Sequence, residues 1–126
     1  MRLSDAVRGT VCHISQFQFS PSDNTRNKYC ILLENYYPSA SSLVAIFTTS
    51  NFKYEYLSWT IRANIPGILG DTLIDLKNYH FVDISIISSR NTRNLGIVPL
   101  NILHEIDNGL CQITDISPAD FIHMLP

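Results

Sequence analysis

The sequence predicts a mainly β fold with α-helices gathered at its C-terminal end. Three observations predict it: short apolar runs bounded by turn-forming residues, one stretch of apolar and polar alternation, and a change to spacings of three and four after Gly96. Gly9 to Phe17 opens the chain of strands, with Thr10, Val11 and Ile14 as its β-branched members. Ser20 to Asn27 reads SPSDNTRN, all turn and loop formers. Lys28 to Glu34 is then a short apolar run of the kind a buried strand makes. The polar turn Pro38 to Ser42 leads into Leu43-Val-Ala-Ile-Phe47, a central strand with a polar exit at Thr48, Thr49, Ser50 and Asn51.

Further on, Tyr54 to Ile61 alternates, with Leu57, Trp59 and Ile61 on one face and Tyr56, Ser58 and Thr60 on the other. Asn64-Ile-Pro-Gly67 breaks that pattern. Gly70 to Leu76 reads as a short strand and Phe81 to Ile87 as a longer one, with Val82, Ile84 and Ile86 inward. Five or six strands is a barrel-sized count. Pro99 suits a first helical turn, and Leu100, Leu103, Ile106 and Leu110 form an apolar stripe that predicts a helix ending near Asn108-Gly109. Ser117-Pro118 then signals a second short helix carrying Phe121, Ile122 and Leu125.

With 126 residues, 45% hydrophobic and 16% charged, the chain is expected to form a single domain over 1–126, a β-barrel with loops over 9–94 and a helical part over 95–126. The formal charge of -2 excludes a strongly basic wrapper and an acidic disordered tail. It is unevenly spread. All nine Lys and Arg precede Asn94, where they meet seven acids for a net +2, and Leu95 to Pro126 holds four acids and no Lys or Arg, a net -4. A polyanionic ligand is therefore expected to meet the barrel loops.

Cys12, Cys30 and Cys111 lack metal-ligand or CxxC spacing and read as reduced, packed thiols in a cytoplasmic protein. No apolar run approaches a membrane span, and no membrane partner is expected. Gly-rich phosphate loops, Gly-x-Ser-x-Gly elbows and His-Glu-x-x-His helices are missing from the sequence.

The order of the pieces carries a resemblance. Gly9-Thr-Val11, Thr25-Arg-Asn-Lys-Tyr-Cys-Ile-Leu-Leu33, Val44-Ala-Ile-Phe-Thr-Thr-Ser50, Asp71-Thr-Leu-Ile-Asp-Leu-Lys77 and Leu95 to Ile106 together resemble the MazF/PemK family of toxin endoribonucleases over about residues 9 to 110. The resemblance implies an SH3-like small β-barrel of the MazF/PemK/CcdB type, a homodimer, a cognate antitoxin protein, and cleavage of single-stranded RNA without a metal or other cofactor. Where that family carries Arg-Pro before its second strand, this chain has Lys28-Tyr29, with Arg26 two positions earlier. Lys is a point charge and lacks the planar fork by which Arg grips a phosphate, so the cationic role is open between Arg26 and Lys28.

Metal-independent cleavage uses the RNA 2′-hydroxyl as nucleophile, so the protein must move two protons and stabilise charge on the phosphorane. A cation and a hydroxyl-bearing strand end are the minimum kit. The catalytic candidates are Arg26, Lys28, Thr48 and Thr49. Substrate-binding candidates are Ser50, the stacking platforms Tyr54 and Tyr56, Lys77 and His80, and the loop cations Arg90 and Arg93. Trp59 reads as a core residue and His13 as a residue of the first strand, and no histidine pair has metal-ligand spacing. The rival readings are a catalytically inactive toxin-like binding module acting by protein contact, and an unrelated β-rich interaction domain.

Overall fold

The computed structural model describes residues 1–114; the helix expected near Ser117 lies outside the described residues. Six strands form one antiparallel sheet: β1 (Thr10–Phe17), β2 (Arg26–Leu32), β3 (Ser42–Thr49), β4 (Thr60–Ala63), β5 (Thr72–Asp83) and β6 (Thr92–Ile97). Their order across the sheet is β4-β5-β3-β2-β1-β6. A four-residue helix, α1 (Ile84–Ile87), follows β5, and α2 (Leu100–Thr114) follows β6. The mainly β class with a C-terminal helix is as the sequence predicted.

Both central strands are buried on two faces, which explains why their sequences read as continuous apolar runs. Val11, Ile31, Leu33, Val44 and Ile46 pack on one face against Ile102, Ile106 and Leu110 of α2. Cys12, Cys30, Leu32, Leu43 and Phe47 pack on the other against Ala6, Val82 and Ile87. The period of two thus alternates between two cores rather than between core and water. Fully burying each such aliphatic side chain is worth about 1.5–3 kcal/mol.

Four local expectations are corrected. Tyr54 to Ile61 is not a strand: Phe52–Tyr54 is a 3-10 turn, a series of turns follows, and β4 begins only at Thr60. The Thr60 hydroxyl donates to the carbonyls of Leu57 and Tyr54, so side-chain hydrogen bonds hold the compact loop that the alternation disguised. The two strands expected from Gly70 to Ile87 are one long strand, β5, and Ile84–Ile87 turns into α1. Strand β6 was not expected; it opens on the polar residues Thr92, Arg93 and Asn94, and only Thr92 of its six residues is buried, as suits an edge.

The fourth correction concerns α2, which runs through Gly109 to Thr114. A Cβ at Gly109 would collide with the Leu76 side chain, so glycine sits in mid-helix to let α2 approach β5 closely. That approach offsets the roughly 1 kcal/mol that glycine costs a helix interior. Arg8 and Asp107 form an ion pair that ties the start of β1 to the same helix.

The two ends of the sheet, β4 and β6, are brought together by side chains. Gly67 adopts φ +82, and a Cβ there would lie 2.8 and 2.9 Å from the Cβ and Cγ of Leu95 in β6. A Cβ at Gly96 would likewise lie 3.3 Å from the Pro66 ring. The segment after β4 therefore seals the curled sheet against β6. Gly67→Ala should destabilise the protein by about 1–3 kcal/mol through left-handed strain and overpacking. In urea unfolding the double variant Gly67→Ala/Leu95→Ala should lose less than the sum of the two single losses, because truncating Leu95 removes part of the collision. An unchanged midpoint in Gly67→Ala would mean the seal is loose.

Candidate functional site

The register of β2 with β3 builds the cleft. Cys30 lies opposite Phe47 in this antiparallel pair, so the residues just before Cys30 adjoin those just after Phe47. Asn27, Lys28 and Tyr29 on one side and Thr48, Thr49 and Ser50 on the other line a cleft of about 200 Å³, closed by Ile68 and Thr72. The hydroxyl of Thr48 is buried and points to the Tyr29 carbonyl at 3.5 Å. Thr72 donates to the Thr49 carbonyl at 3.0 Å, fixing the strand end. The Thr49 oxygen accepts the Asn51 amide at 3.1 Å, which leaves its O–H as a donor for a ligand.

Of the two candidate cations, the structure puts Lys28 in this cleft and Arg26 in another. Arg26 lines a neighbouring depression with Phe19, Ser22, Asp23 and Asn24. Lys28 is half-buried, its Nζ 5.5 Å from the Phe19 ring centroid. The other side of that aromatic group belongs to His80, whose ring lies 4.6 Å from Phe19 and 5.4 Å from Phe47. His80 Nε2 is 2.9 Å from Asn78 Oδ1, and burial pushes the imidazole below its ordinary range.

The remaining sequence candidates are dispersed. Tyr54 and Tyr56 are exposed on the loop that leaves Ser50, with Lys53 Nζ 5.1 Å from the Tyr54 ring. That loop is pinned by Arg62, which bonds Glu55 and Asp71 and lies 4.9 Å from the Phe52 ring. Lys77 is exposed on β5 with Nζ 3.8 Å from the Trp59 ring, which makes Trp59 a partly buried platform rather than a full core residue. Arg90 is exposed in the turn before β6. Arg93 was expected in a loop but lies in β6, opposite His13, which in turn lies opposite Tyr29.

Sequence reasoning missed Asn27, Tyr29, Thr72 and His13 as members of the site region. The row Arg93, His13, Tyr29 crosses three strands and ends at the cleft wall. His13 meets Tyr29 edge-on at 4.9 Å, and its Nδ1 is buried without a hydrogen-bond partner. The signal was present in the spacing, since all three fall on one side of their strands, but it needed β6 to be recognised. Among the described residues no cluster of three or more His, Cys, Asp or Glu is placed to hold a metal, and no helix is long and apolar enough to cross a membrane.

Known structures share this arrangement of strands and helix. A MazE–MazF complex from Deinococcus radiodurans superposes with a TM-score of 0.69 at 17% identity, covering 93% of this chain and all of the other. The chain has the MazF fold. A second crystal form of the MazE–MazF complex gives 0.63 at 18% identity over 88% of this chain and 97% of the other, and MazF alone from that organism gives 0.66 at 15% over 87% and 96%. No protein-family model matches the sequence, and no curated protein matches it either. The SH3-like architecture expected from the order of motifs is thus shared by the three-dimensional structure at identities too low for sequence matching.

The lowered proton affinity of His80 fixes a sign. The unfolded chain binds that proton more readily than the fold does, so the stability contribution is full above about pH 6.5 and is lost as pH falls below it. His80→Phe should therefore flatten the fall in thermal midpoint between pH 7 and 5.5, and an unaltered slope would rule His80 out as its source.

Proposed function

We propose that the protein is a toxin-type endoribonuclease, the toxic component of a toxin-antitoxin pair, which cleaves single-stranded RNA without a metal. The observation that carries this reading is the cleft that gathers Lys28, Thr48, Thr49 and Ser50 on the MazF fold. The RNA 2′-hydroxyl attacks the adjacent phosphorus as its proton passes to a water molecule, and the 5′-oxygen leaves as a protonated hydroxyl, giving a 2′,3′-cyclic phosphate end and a 5′-hydroxyl end. Lys28 supplies positive charge to the phosphorane, and the free O–H of Thr49 donates to a phosphate oxygen. Thr48 is a positioning residue, holding the β2 backbone beneath Tyr29. Tyr29 brings the phenolic proton of the cleft and is the candidate donor to the leaving oxygen.

Outside the cleft, Arg93 and Arg90 serve the flanking phosphates, and Tyr54 and Tyr56 offer faces on which bases stack. Arg26 neutralises a phosphate from its own depression, and Lys77 and His80 extend the polar margin. The protein acts in the cytoplasm as a homodimer, its activity held in check by an antitoxin. The Deinococcus complexes, in which MazF is crystallised with MazE, support such a partner.

A second reading, an inactive binding module on the same fold that acts by protein contact, draws on one specific observation: the titratable groups lining the cleft are Lys28 and Tyr29, with no carboxylate or imidazole among the lining residues. One assay separates the two. Purified protein incubated with a long unstructured RNA and excess chelator should yield discrete fragments. Lys28→Ala and Thr49→Val should each slow cleavage by about 10²-fold or more, the usual cost of removing one oxyanion contact. Arg26→Ala should act mainly on binding. Intact RNA from folded wild-type protein would sink the enzyme reading and favour the binding module.

Tyr56→Ala tests the stacking surface separately. Loss of one stacked base should weaken single-stranded RNA binding by about 1–3 kcal/mol, measured by fluorescence anisotropy, with the thermal midpoint unchanged because Tyr56 is 82% exposed.

A further inference from the structure

We propose that Met1, Cys12 and Cys30 form a binding site for a soft monovalent metal ion, Cu(I), beneath the N-terminal arm. The register of β1 with β2 puts Cys12 directly opposite Cys30, on the sheet face covered by that arm. Cys12 Sγ lies 3.5 Å from Met1 Sδ, and both cysteines belong to the buried cluster against which Met1 packs. Three sulfurs from three separate stretches of backbone therefore meet in one place.

The backbone geometry sets the gap between the two thiols, which are free. Leu33 N–H donates to the Val44 carbonyl, so the odd-numbered residues of this segment bond towards β3 and Cys30 bonds towards β1. Cys12 and Cys30 thus occupy a hydrogen-bonded pair, in which the Cα atoms stand about 5.5 Å apart. That spacing also falls within the range a disulfide spans, so the reduced pair is the metal-binding form and oxidation competes with the ion.

The donor set selects the metal. Two thiolates and a thioether suit Cu(I), which is content with two or three sulfur ligands. Zn(II) asks for four ligands from Cys, His and carboxylates, and among the described residues no third member of that group adjoins the pair. Binding displaces the protons of both thiols and involves no oxidation, leaving one net negative charge on the bis-thiolate complex. A counter-charge is already in position. The Met1 ammonium is held by the carbonyls of Ile87, Ser89 and Thr92 at 3.2, 3.0 and 2.9 Å, on the same residue that supplies the thioether. Cys12 and Cys30 are 1% and 0% exposed, whereas Met1 is half-buried, so the ion enters by displacement of the Met1 side chain.

The test uses the full chain under anaerobic conditions, with Cu(I) supplied as its bicinchoninate complex. Wild-type protein should remove one equivalent from the coloured complex, gain near-ultraviolet thiolate-to-copper absorption and show a higher thermal midpoint. Cys12→Ala and Cys30→Ala should each abolish that equivalent, and Cys111→Ala should retain it. X-ray absorption on the loaded wild type, which needs no variant to fold, should show two or three sulfur neighbours and no nitrogen or oxygen. Failure of the wild type to take copper, dependence of the uptake on Cys111, or a nitrogen-rich shell would each overturn the proposal. RNA cleavage does not enter the readout, so the outcome is independent of the catalytic reading.

Discussion

Water has to be kept from both faces of β2 and β3, and the rest of the structure follows from that requirement. Cys30 to Leu33 and Leu43 to Phe47 are at most 1% exposed along their whole length. A sheet facing water on one side would leave half of these side chains wet. Two covering layers are therefore obligatory: α2 on one face, and the N-terminal arm with α1 on the other. Each layer is then tied down. Arg8 pairs with Asp107 of α2, and the chain's terminal ammonium donates to carbonyls at the end of α1 and the start of β6.

That same burial decides where chemistry is possible. Polar side chains enter β2 and β3 only where the covering layers stop, and the antiparallel pairing makes the polar start of one strand adjoin the polar end of the other. A cation from β2 and hydroxyls from β3 thus meet without any loop having to deliver them. The exposed aromatic loop begins at Ser50 on the rim of this cleft, and its Arg62 anchor reaches Asp71, the residue before Thr72 in the opposite wall. Loop and cleft share their supports, which couples the order of the aromatic loop to the order of the cleft.

The central strands were legible because their apolar runs are long enough to exclude any other element of that length. Helix α2 was legible from the stripe Leu100, Leu103, Ile106 and Leu110, although Leu100 is exposed and Ile102 joins Ile106 and Leu110 in the core. The edges were harder for a physical reason. Tyr54 to Ile61 alternates as a strand does, yet Asn51 and Thr60 capture backbone groups with their own side chains and fold the stretch into turns. Strand β6 carries Thr92, Arg93, Asn94 and Gly96, a composition that reads as loop, and only pairing with β1 gives it strand form. For the candidate site, Lys28 and Thr48 to Ser50 were singled out by the family resemblance at the ends of apolar runs, and the register brings them to one cleft. Tyr29 and His13 lie within the strands and became visible only once the register showed which of them share a face.

The join between β4 and β6 has a different character from every other in the sheet. Neighbouring strands elsewhere share backbone hydrogen bonds, but the segment from Ile65 to Ile68 meets Leu95 and Gly96 through side-chain packing. Dispersion contacts fall away over a fraction of an ångström, whereas a ladder resists opening until several bonds break together. The barrel is thus a clasp with one designated opening. Amide hydrogens beside it should exchange with solvent through local unclasping, while those of β2 and β3 wait for the whole molecule to unfold.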